Sequence, residues 1–323
     1  MDEHSKNTIQ KAFKPARSTQ LEFFTRLFSQ AKAVLGISIL AVFILLAFFA
    51  PLIAPGDPTR FVGRPNQPPT WEHWLGTTGQ GQDVFTQLVR GSRVSLLIGF
   101  TVGLLVTLIG LAVGMTAAYL HGFTDSLLNM FTNVFLIIPA LPLLITLSSF
   151  LPPGTMTVIF VLTITGWAWS ARVFRSQTLT LCEKDFVCAA VVSGESSRYI
   201  IFSEILPNMM SLVVSSFFGN VVYAIAADVG LAFLGFEDVN TASWGTMLFW
   251  AQNNSALLQK AWWTFVPPGL CVALVAFATT MLIYAVDEVT NPRLRSEKEI
   301  ARALRQYHIH SGGATPVVRK SNA

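Results

Sequence analysis

The sequence predicts an all-α integral membrane protein with six transmembrane helices and both termini in the cytoplasm. Hydrophobic residues make up 52% of the 323 residues, charged residues make up only 12%, and the mean hydropathy is +0.53. This composition is far more apolar than that of a soluble domain. A bilayer core about 30 Å thick needs roughly 20 apolar residues per helix. The stretches that qualify are 34–54, 94–118, 126–149, 155–171, 211–235 and 265–287.

The distribution of basic residues predicts the orientation. Of the 22 Lys and Arg residues, 17 fall in residues 1–33, in the polar stretch 166–208 or after Asn291. Because cytoplasmic flanks retain positive charge, both termini and this stretch are predicted to lie inside. The pI of about 9.1 then reflects topology and contact with anionic lipid, and it gives no reason to expect a nucleic-acid partner.

The predicted spans divide the chain into a cytoplasmic tail (1–33), a first transmembrane helix (34–54), an extracytoplasmic loop (55–93), a five-helix core (94–290) and a second cytoplasmic tail (291–323). Apolar residues recur at helical spacing late in the first tail, at Leu21, Phe24, Leu27 and Phe28. They indicate either a short helix on the inner membrane surface or a continuation of the first span. A cleaved signal peptide is not favoured, since more than 30 residues precede the apolar run.

The extracytoplasmic loop contains Gly76, Gly79 and Gly81, a spacing that invites comparison with a phosphate-binding loop. Such a loop ends in Gly-Lys-Ser/Thr, which this sequence lacks, so no ATP is expected to bind this chain.

Four glycines of the second span, Gly99, Gly103, Gly110 and Gly114, form two GxxxG pairs on one helical face. The face predicts a packing seam, either within the protein or with a partner subunit. The alternative is that it only reflects the abundance of glycine in membrane helices. In the third span, Pro139 and Pro142 predict a local bend or break.

Asp228 is the acidic residue that lies well inside a predicted span, near the outer end of the fifth. Ionisable residues within membranes are candidate functional residues. The sequence favours a polar anchor in an outer gate or subunit seam. A proton relay is less favoured, because no second acidic residue or His appears in another span.

The polar stretch 166–208 separates two apolar spans and is expected to lie in water. After Glu183 come Ala189, Ala190 and Gly194, and a helical spacing would place Ala190 and Gly194 one turn apart on the same face. A helix with such a smooth side can seat closely against a partner.

This stretch resembles the EAA loop of bacterial ABC importer permeases, specifically those of the dipeptide, oligopeptide and nickel importer family. The matching residues are Trp167, Arg172, Arg175, Leu179, Glu183, Phe186, Ala189, Ala190, Gly194, Leu206, Pro207 and Asn208. Further similarity lies at Asp83, Arg90, Gly91 and Arg93, where Gln82 replaces the Arg of the family's Gly-Arg-Asp, and at Asp228 to Gly235, Trp244-Gly245 and Asn291 to Arg295.

The resemblance implies a type I ABC importer permease fold in the bacterial inner membrane, with 172–210 as the EAA coupling loop. Its partners would be a homologous second permease subunit, two ABC ATPase subunits that carry ATP and Mg²⁺, and an extracytoplasmic substrate-binding protein. Coupling would run through Glu183, Ala189, Ala190, Gly194, Leu206 and Pro207. The chain itself would hold no cofactor or metal and would not be an enzyme.

Other functions fit the residues less well. All five His lie in loops or tails, and no catalytic set or metal-ligand cluster appears at membrane depth, which disfavours an intramembrane enzyme. A secondary transporter would show inverted repeats or paired midmembrane charges. This sequence has a single acidic residue near one end of a span and no detectable repeat, so a secondary transporter is less favoured. The resemblance favours peptides as substrate, with nickel chelates, sugars or another small solute as alternatives.

Overall fold

The computed structural model describes residues 28–290. Predictions for residues 1–27 and 291–323, including most of the proposed interfacial helix and the whole second tail, lie outside it. Within it, the helices of eight residues or more are α1 (Ala31–Ile53), α2 (Val84–Leu120), α3 (Gly122–Ile137), α4 (Ala140–Phe150), α5 (Thr155–Cys182), α6 (Asp185–Val192), α7 (Met210–Phe233), α8 (Trp244–Asn253) and α9 (Val266–Thr290). Apart from two isolated β-bridges, the regular structure of this part is helical.

Five helical segments are long and apolar enough to cross a membrane: α1, α2, α5, α7 and Trp262–Val289, which contains α9 except for its last residue. The α3–α4 pair makes a sixth span if its two arms cross together, and these arms meet at 90°. The break falls at Ile138 and Pro139, both in extended conformations. A proline disfavours the helical conformation in the residue before it and cannot donate a helical hydrogen bond. The predicted bend is confirmed.

Helix α5 is longer than the predicted fourth span. The sequence predicts a span over 155–171 with a water-exposed loop beyond it, whereas α5 continues unbroken to Cys182. Phe174, Thr178 and Leu181 recur at helical spacing and are buried, so the polar residues between them occupy the other faces of one helix. Burial of this stripe extends the helix past the apolar sequence that predicted it.

The four glycines of α2 form contacts with two other helices of the same chain. A Cβ on Gly99 or Gly103 would lie 2.6 Å from a side-chain carbon of Ile225 or Val221 in α7. One on Gly110 or Gly114 would lie 2.6 Å from Ser170 Cβ or 2.5 Å from the Ala171 carbonyl oxygen in α5. The face is therefore filled by this chain's own helices rather than by a second subunit. Close backbone approach places α2 between α5 and α7.

The extracytoplasmic segments form a cap on the helices. The indole of Trp263 donates a hydrogen bond of 3.1 Å to the Thr77 carbonyl, which joins the loop before α2 to the segment before α9. Trp244, fully buried at the start of α8, packs edge-on against Phe43 of α1, with ring centroids 5.6 Å apart. Its backbone N–H donates to Ser95 Oγ at 3.0 Å. Helix α8 therefore packs into the bundle.

Candidate functional site

One side of the cytoplasmic segment between α5 and α7 packs against the helical bundle. Val187 of α6 is 3% exposed, and Ile200, Ile205 and Met209 are buried with it against Phe174 of α5. Met115 of α2 belongs to the same cluster. Burial of several large apolar side chains ties the segment firmly to α2 and α5.

Helix α6 contains Ala189 and Ala190 but not Gly194. The helix ends at Val192, and Gly194 follows with φ +78°, in the left-handed region. Its N–H donates to the Val191 carbonyl at 3.0 Å, and the N–H of Glu195 donates to the Ala190 carbonyl at 3.1 Å. This pair of bonds is the usual helix end that glycine permits. The prediction that Gly194 shares a helical face with Ala190 is wrong, because Gly194 ends that helix.

The chain re-enters a helical path after Gly194. Ser196 caps the turn by accepting a hydrogen bond from the Tyr199 N–H at 3.3 Å. Residues Ile200–Ile205 form a π-helical turn, followed by Leu206–Asn208. Leu206 packs against the buried cluster, whereas Pro207 is exposed. Because Pro207 has no N–H to donate, a wider turn before it is readily accommodated, and π turns of this kind are common at functional positions.

The opposite side of this segment is apolar and exposed. The residues that form it, here called the outer face, are Phe186 (38% exposed), Val191 (56%), Val192 (88%), Tyr199 (45%) and Phe202 (66%). Glu183 and Ala189 are also exposed, and Ala190 is half-buried. A cluster in sequence of exposed large apolar side chains beside charged residues is typical of a protein interaction site.

A cavity of about 620 Å³ lies where the α3–α4 bend faces α5 and α7. Its lining combines the backbone around Pro139 with the aromatic side chains Phe135, Trp169 and Tyr223 and the polar side chains Ser170 and Asn220. No charged side chain of the described residues lines it. The bend that Pro139 imposes therefore opens a polar and aromatic recess within the helical bundle.

Asn220 of α7 is held from two sides at the edge of this cavity. Its Nδ2 donates to Thr107 Oγ1 of α2 at 2.9 Å and to Ser170 Oγ of α5 at 3.0 Å. Thr107 and Ser170 are buried. The amide is thus fixed by three helices, which keeps a polar group oriented at membrane depth.

Two arginines of α5 bind side chains of α3. The guanidinium of Arg175 donates two hydrogen bonds of 2.7 Å to the two carboxylate oxygens of Asp125. Arg172, one turn earlier, donates to the neutral amide oxygen of Asn133 at 2.8 Å. Both arginines therefore lie on a helix facing another helix, and not in the predicted loop.

Asp228 lies in α7 and is fully buried, and Glu237, a residue that the sequence did not single out, acts on it electrostatically. Helix α7 ends at Phe233, and Gly235 with φ +81° turns the chain back, so that the Phe236 N–H donates to the Leu231 carbonyl at 3.0 Å. This reversal buries Glu237, which is 3% exposed. An acidic residue directly after the apolar run ending Leu234-Gly235-Phe236 was the available signal.

Burial raises the pKa of Glu237 from its ordinary value to about 7, and the neighbouring charge of Asp238 also raises it, whereas a hydrogen bond from Ser243 lowers it. Ser243 Oγ donates to Glu237 Oε2 at 3.1 Å. Ser243 also caps α8, since its Oγ accepts from the Thr246 N–H at 3.0 Å. Glu237 is therefore attached to the start of the helix that packs into the bundle.

Comparison with known proteins identifies the family of this chain. Residues 110–296 match the family described as the inner membrane component of binding-protein-dependent transport systems. The chain belongs to this family. Residues 19–69 also match the N-terminal transmembrane domain of oligopeptide transport permease C.

Relatives of this permease cover nearly the whole chain. It is 31% identical to the oligopeptide transport system permease protein OppC of Bacillus subtilis over 88% of this chain and 93% of that protein. It is 32% identical to the dipeptide transport system permease protein DppC of the same organism, over 87% and 88%. A structure of the MetNI methionine ABC transporter in an inward-facing conformation matches with a TM-score of 0.51 and 20% identity, covering 62% of this chain and 96% of that chain.

The permease is therefore a multi-pass protein of the inner membrane, the transmembrane subunit of an ABC importer, and it has the importer permease fold. The predicted family and fold class are confirmed.

Proposed function

We propose that this permease forms half of a translocation pathway for di- or oligopeptides. The other half is a homologous second permease subunit, two ATPase subunits supply the energy, and an extracytoplasmic binding protein delivers the peptide. The relatives that support a peptide substrate are named for oligopeptide and dipeptide transport. ATP and Mg²⁺ bind the ATPase subunits, and this chain binds no cofactor.

The observation that carries the proposal is the two-sided construction of the segment from Glu183 to Pro207. Its inner side is buried against α2 and α5, and its outer face is apolar and exposed. An ATPase that binds the outer face can push on a segment that cannot move without these helices. Because packed elements shift as rigid bodies, closure of the ATPases would be transmitted to the bundle.

The cavity beside Pro139 is the proposed substrate path on this chain. Its uncharged lining offers hydrogen-bonding groups at Ser170 and Asn220 and apolar surface at Trp169 and Tyr223. A peptide backbone matches the first kind of group, and varied side chains match the second. A path with few strong contacts also lets its substrate leave. Nickel chelates, sugars or another small solute remain the alternative substrate.

The ATPase contact is tested by a pair of matched variants. Val192→Glu places a charge on the outer face, where the native side chain is 88% exposed, and Leu258→Glu places one on a side chain 84% exposed in the segment before α9. The complex is purified through a tag on this chain, and the ATPase subunits are quantified. We expect ATPase loss with Val192→Glu and retention with Leu258→Glu. Equal ATPase recovery from both variants contradicts the proposal.

The substrate is tested by uptake in cells that depend on this permease. Labelled dipeptide, tripeptide and a nickel chelate are offered separately, each with excess unlabelled peptide as competitor. Peptide uptake that requires this chain supports the proposal. Uptake of the nickel chelate that peptide does not inhibit would replace peptide with the alternative.

A further inference from the structure

Two carboxyl groups lie buried together where α7 meets α8. Asp228 is 0% exposed and Glu237 is 3% exposed. Neither oxygen of Asp228 has a hydrogen-bond partner, and neither does Glu237 Oε1. The fourth oxygen, Glu237 Oε2, accepts from Ser243 Oγ at 3.1 Å. Two ionised carboxylates in this setting would be strongly unfavourable, because buried charges require partners.

The loop between α7 and α8 packs tightly around the two carboxyl groups. We call this packed arrangement the closed loop. A Cβ on Gly245 would lie 2.7 Å from Ala232 Cβ and 3.5 Å from the backbone oxygen of Asp228. A Cβ on Gly91 of α2 would lie 3.2 Å from the backbone of Ser243. The loop and the start of α8 are therefore pressed against α7 and α2 around the two carboxyl groups.

The surrounding elements supply no compensating positive charge. In residues 28–290, no basic side chain forms an ion pair with Asp228 or Glu237. On α2, Arg90 donates to the Ala54 carbonyl at 2.9 Å and Arg93 is exposed. Helix α8 carries no titratable residue, Tyr223 is the other titratable residue of α7, and the remaining neighbour in the loop, Asp238, is itself acidic.

We propose that Asp228 and Glu237 form a proton-binding site at which the two carboxyl groups together hold one proton whenever the α7–α8 loop is closed. Two carboxyl groups that share a site do not both ionise, as in known carboxylate pairs. The raised pKa of Glu237 agrees with this assignment. Opening of the loop hydrates the groups and releases the proton, so a lower extracytoplasmic pH stabilises the closed arrangement.

A route for the proton lies beside the pair. A cavity of about 330 Å³ on the extracytoplasmic side is lined by Thr241, Ala242 and Thr246, which flank Ser243. Ser243, whose hydroxyl donates to Glu237 Oε2, adjoins this lining in the chain, so the proposed route runs past its capping turn. The proton passes between solvent and carboxylate without any other covalent change.

A metal ion fits the site less well than a proton. The pair offers four carboxylate oxygens, and Ca²⁺ takes six to eight oxygen ligands. Among the described residues, no group of three or more His, Cys, Asp or Glu side chains is placed to hold a metal ion. A single proton needs only the two carboxyl groups.

The site is tested on the purified full-length chain in lipid nanodiscs by hydrogen exchange of the segment 234–246, corrected for the intrinsic rate. Between about pH 5 and about pH 7, where the open loop has lost a proton that the closed loop keeps, linkage to one proton predicts that protection falls by up to about tenfold per pH unit. Glu237→Gln should abolish this pH dependence and keep the segment protected. The matched control is Asp238→Asn, which changes the adjacent carboxyl and should leave the dependence intact.

Two further measurements decide the remaining outcomes. Infrared spectra should show a protonated-carboxyl band at the lower pH that is reduced in Asp228→Asn and in Glu237→Gln, so failure of one variant to fold leaves the other. Unchanged pH dependence in Glu237→Gln, or absence of the band in wild type, overturns the proposal. Protection restored at the higher pH by added Na⁺ or Ca²⁺ also overturns it, because a metal ion would then occupy the site.

Discussion

Arg175 of α5 and Asp125 in the first turn of α3 form a bidentate ion pair, in which both hydrogen bonds are 2.7 Å long. Helix α2 also packs closely against Arg175, since a Cβ on Gly114 of α2 would lie 2.9 Å from the backbone nitrogen of Arg175. Three helices are thus fixed to one another near the cytoplasmic end of α5. The segment proposed to contact the ATPases begins at Glu183, about two turns after Arg175.

Asp125→Asn should lower the stability of the folded chain by about 1 kcal/mol, because both partners are only partly buried and such pairs contribute modestly. The measurement is thermal unfolding in detergent. Asn133→Ala removes the single bond to Arg172, which is between uncharged and charged groups, and serves as the comparison. A larger effect from Asn133→Ala than from Asp125→Asn would contradict the ranking.

Gly194 should tolerate asparagine but not valine. The position has φ +78°, while nothing lies within 4 Å of a Cβ built there, so strain rather than crowding decides the outcome. Asparagine adopts the left-handed region far more readily than a β-branched residue, and that region costs an ordinary residue about 1–2 kcal/mol. Substrate uptake should persist in Gly194→Asn and fall in Gly194→Val at equal membrane abundance. Equal uptake by the two variants would show that the helix end is dispensable.

Gly110→Ala should destabilise the bundle, whereas Gly230→Ala should not. A Cβ at Gly110 would meet Ser170 Cβ at 2.6 Å, and nothing lies within 4 Å of one at Gly230, although both glycines are in helices. Overpacking typically costs about 1–3 kcal/mol, while alanine in an open helical position is favourable by about 1 kcal/mol. Unfolding temperatures of the two variants measure the difference. Equal loss in both would mean that the seam is not close-packed.

Asn220→Leu should reduce transport more than it reduces folding. The substitution keeps the approximate volume but removes the amide that bonds Thr107 and Ser170, and interhelical hydrogen bonds in membranes average below about 1 kcal/mol. If the cavity is the substrate path, uptake falls while thermal stability changes little. Leu258→Ala, remote from the cavity, is the control. Normal uptake in Asn220→Leu argues that the path does not use this wall.

Glu237 should make the chain less stable as the pH rises from its unfolded pKa to its folded pKa. Burial raises the pKa of Glu237 to about 7 from 4.5, so in this window the folded chain holds a proton that the unfolded chain has lost. The folded state therefore loses stability with rising pH until about pH 7, and the total approaches about 3 kcal/mol. Thermal unfolding of Glu237→Gln should lack this loss and should exceed wild type above pH 7. Parallel pH profiles for the two proteins would contradict the raised pKa.

The helical, membrane-spanning character of the permease follows directly from its sequence. Long apolar runs are stable in a bilayer as helices, and Pro139 disfavours the helical conformation at Ile138, the residue before it. The family was also legible, because Glu183, Ala189, Ala190 and Leu206-Pro207 lie close together in the chain. Each of these inferences uses only local chemistry or local spacing.

Sequence spacing alone did not predict where two of the helices end, and the tertiary structure explains why. A helical wheel places Gly194 beside Ala190, but the hydrogen bonds of its left-handed turn end the helix before it. The polar sequence around Arg172 and Arg175 reads as a loop, but their partners on α3 let α5 continue to Cys182. Apolar composition predicts that a helix is present, whereas the residue at which the helix ends depends on which polar side chains form hydrogen bonds with other helices.

The sequence by itself determined the fold class, because composition and periodicity act within a single helix, and its motifs pointed to the family. It also singled out residues such as Gly99 and Asp228, but not Glu237. Only the tertiary structure decided which residues meet. It placed the Gly99 to Gly114 face against α5 and α7, and it turned Glu237 back toward Asp228. Such pairings depend on how separate helices pack, and the free energy of packing is shared among residues far apart in the chain.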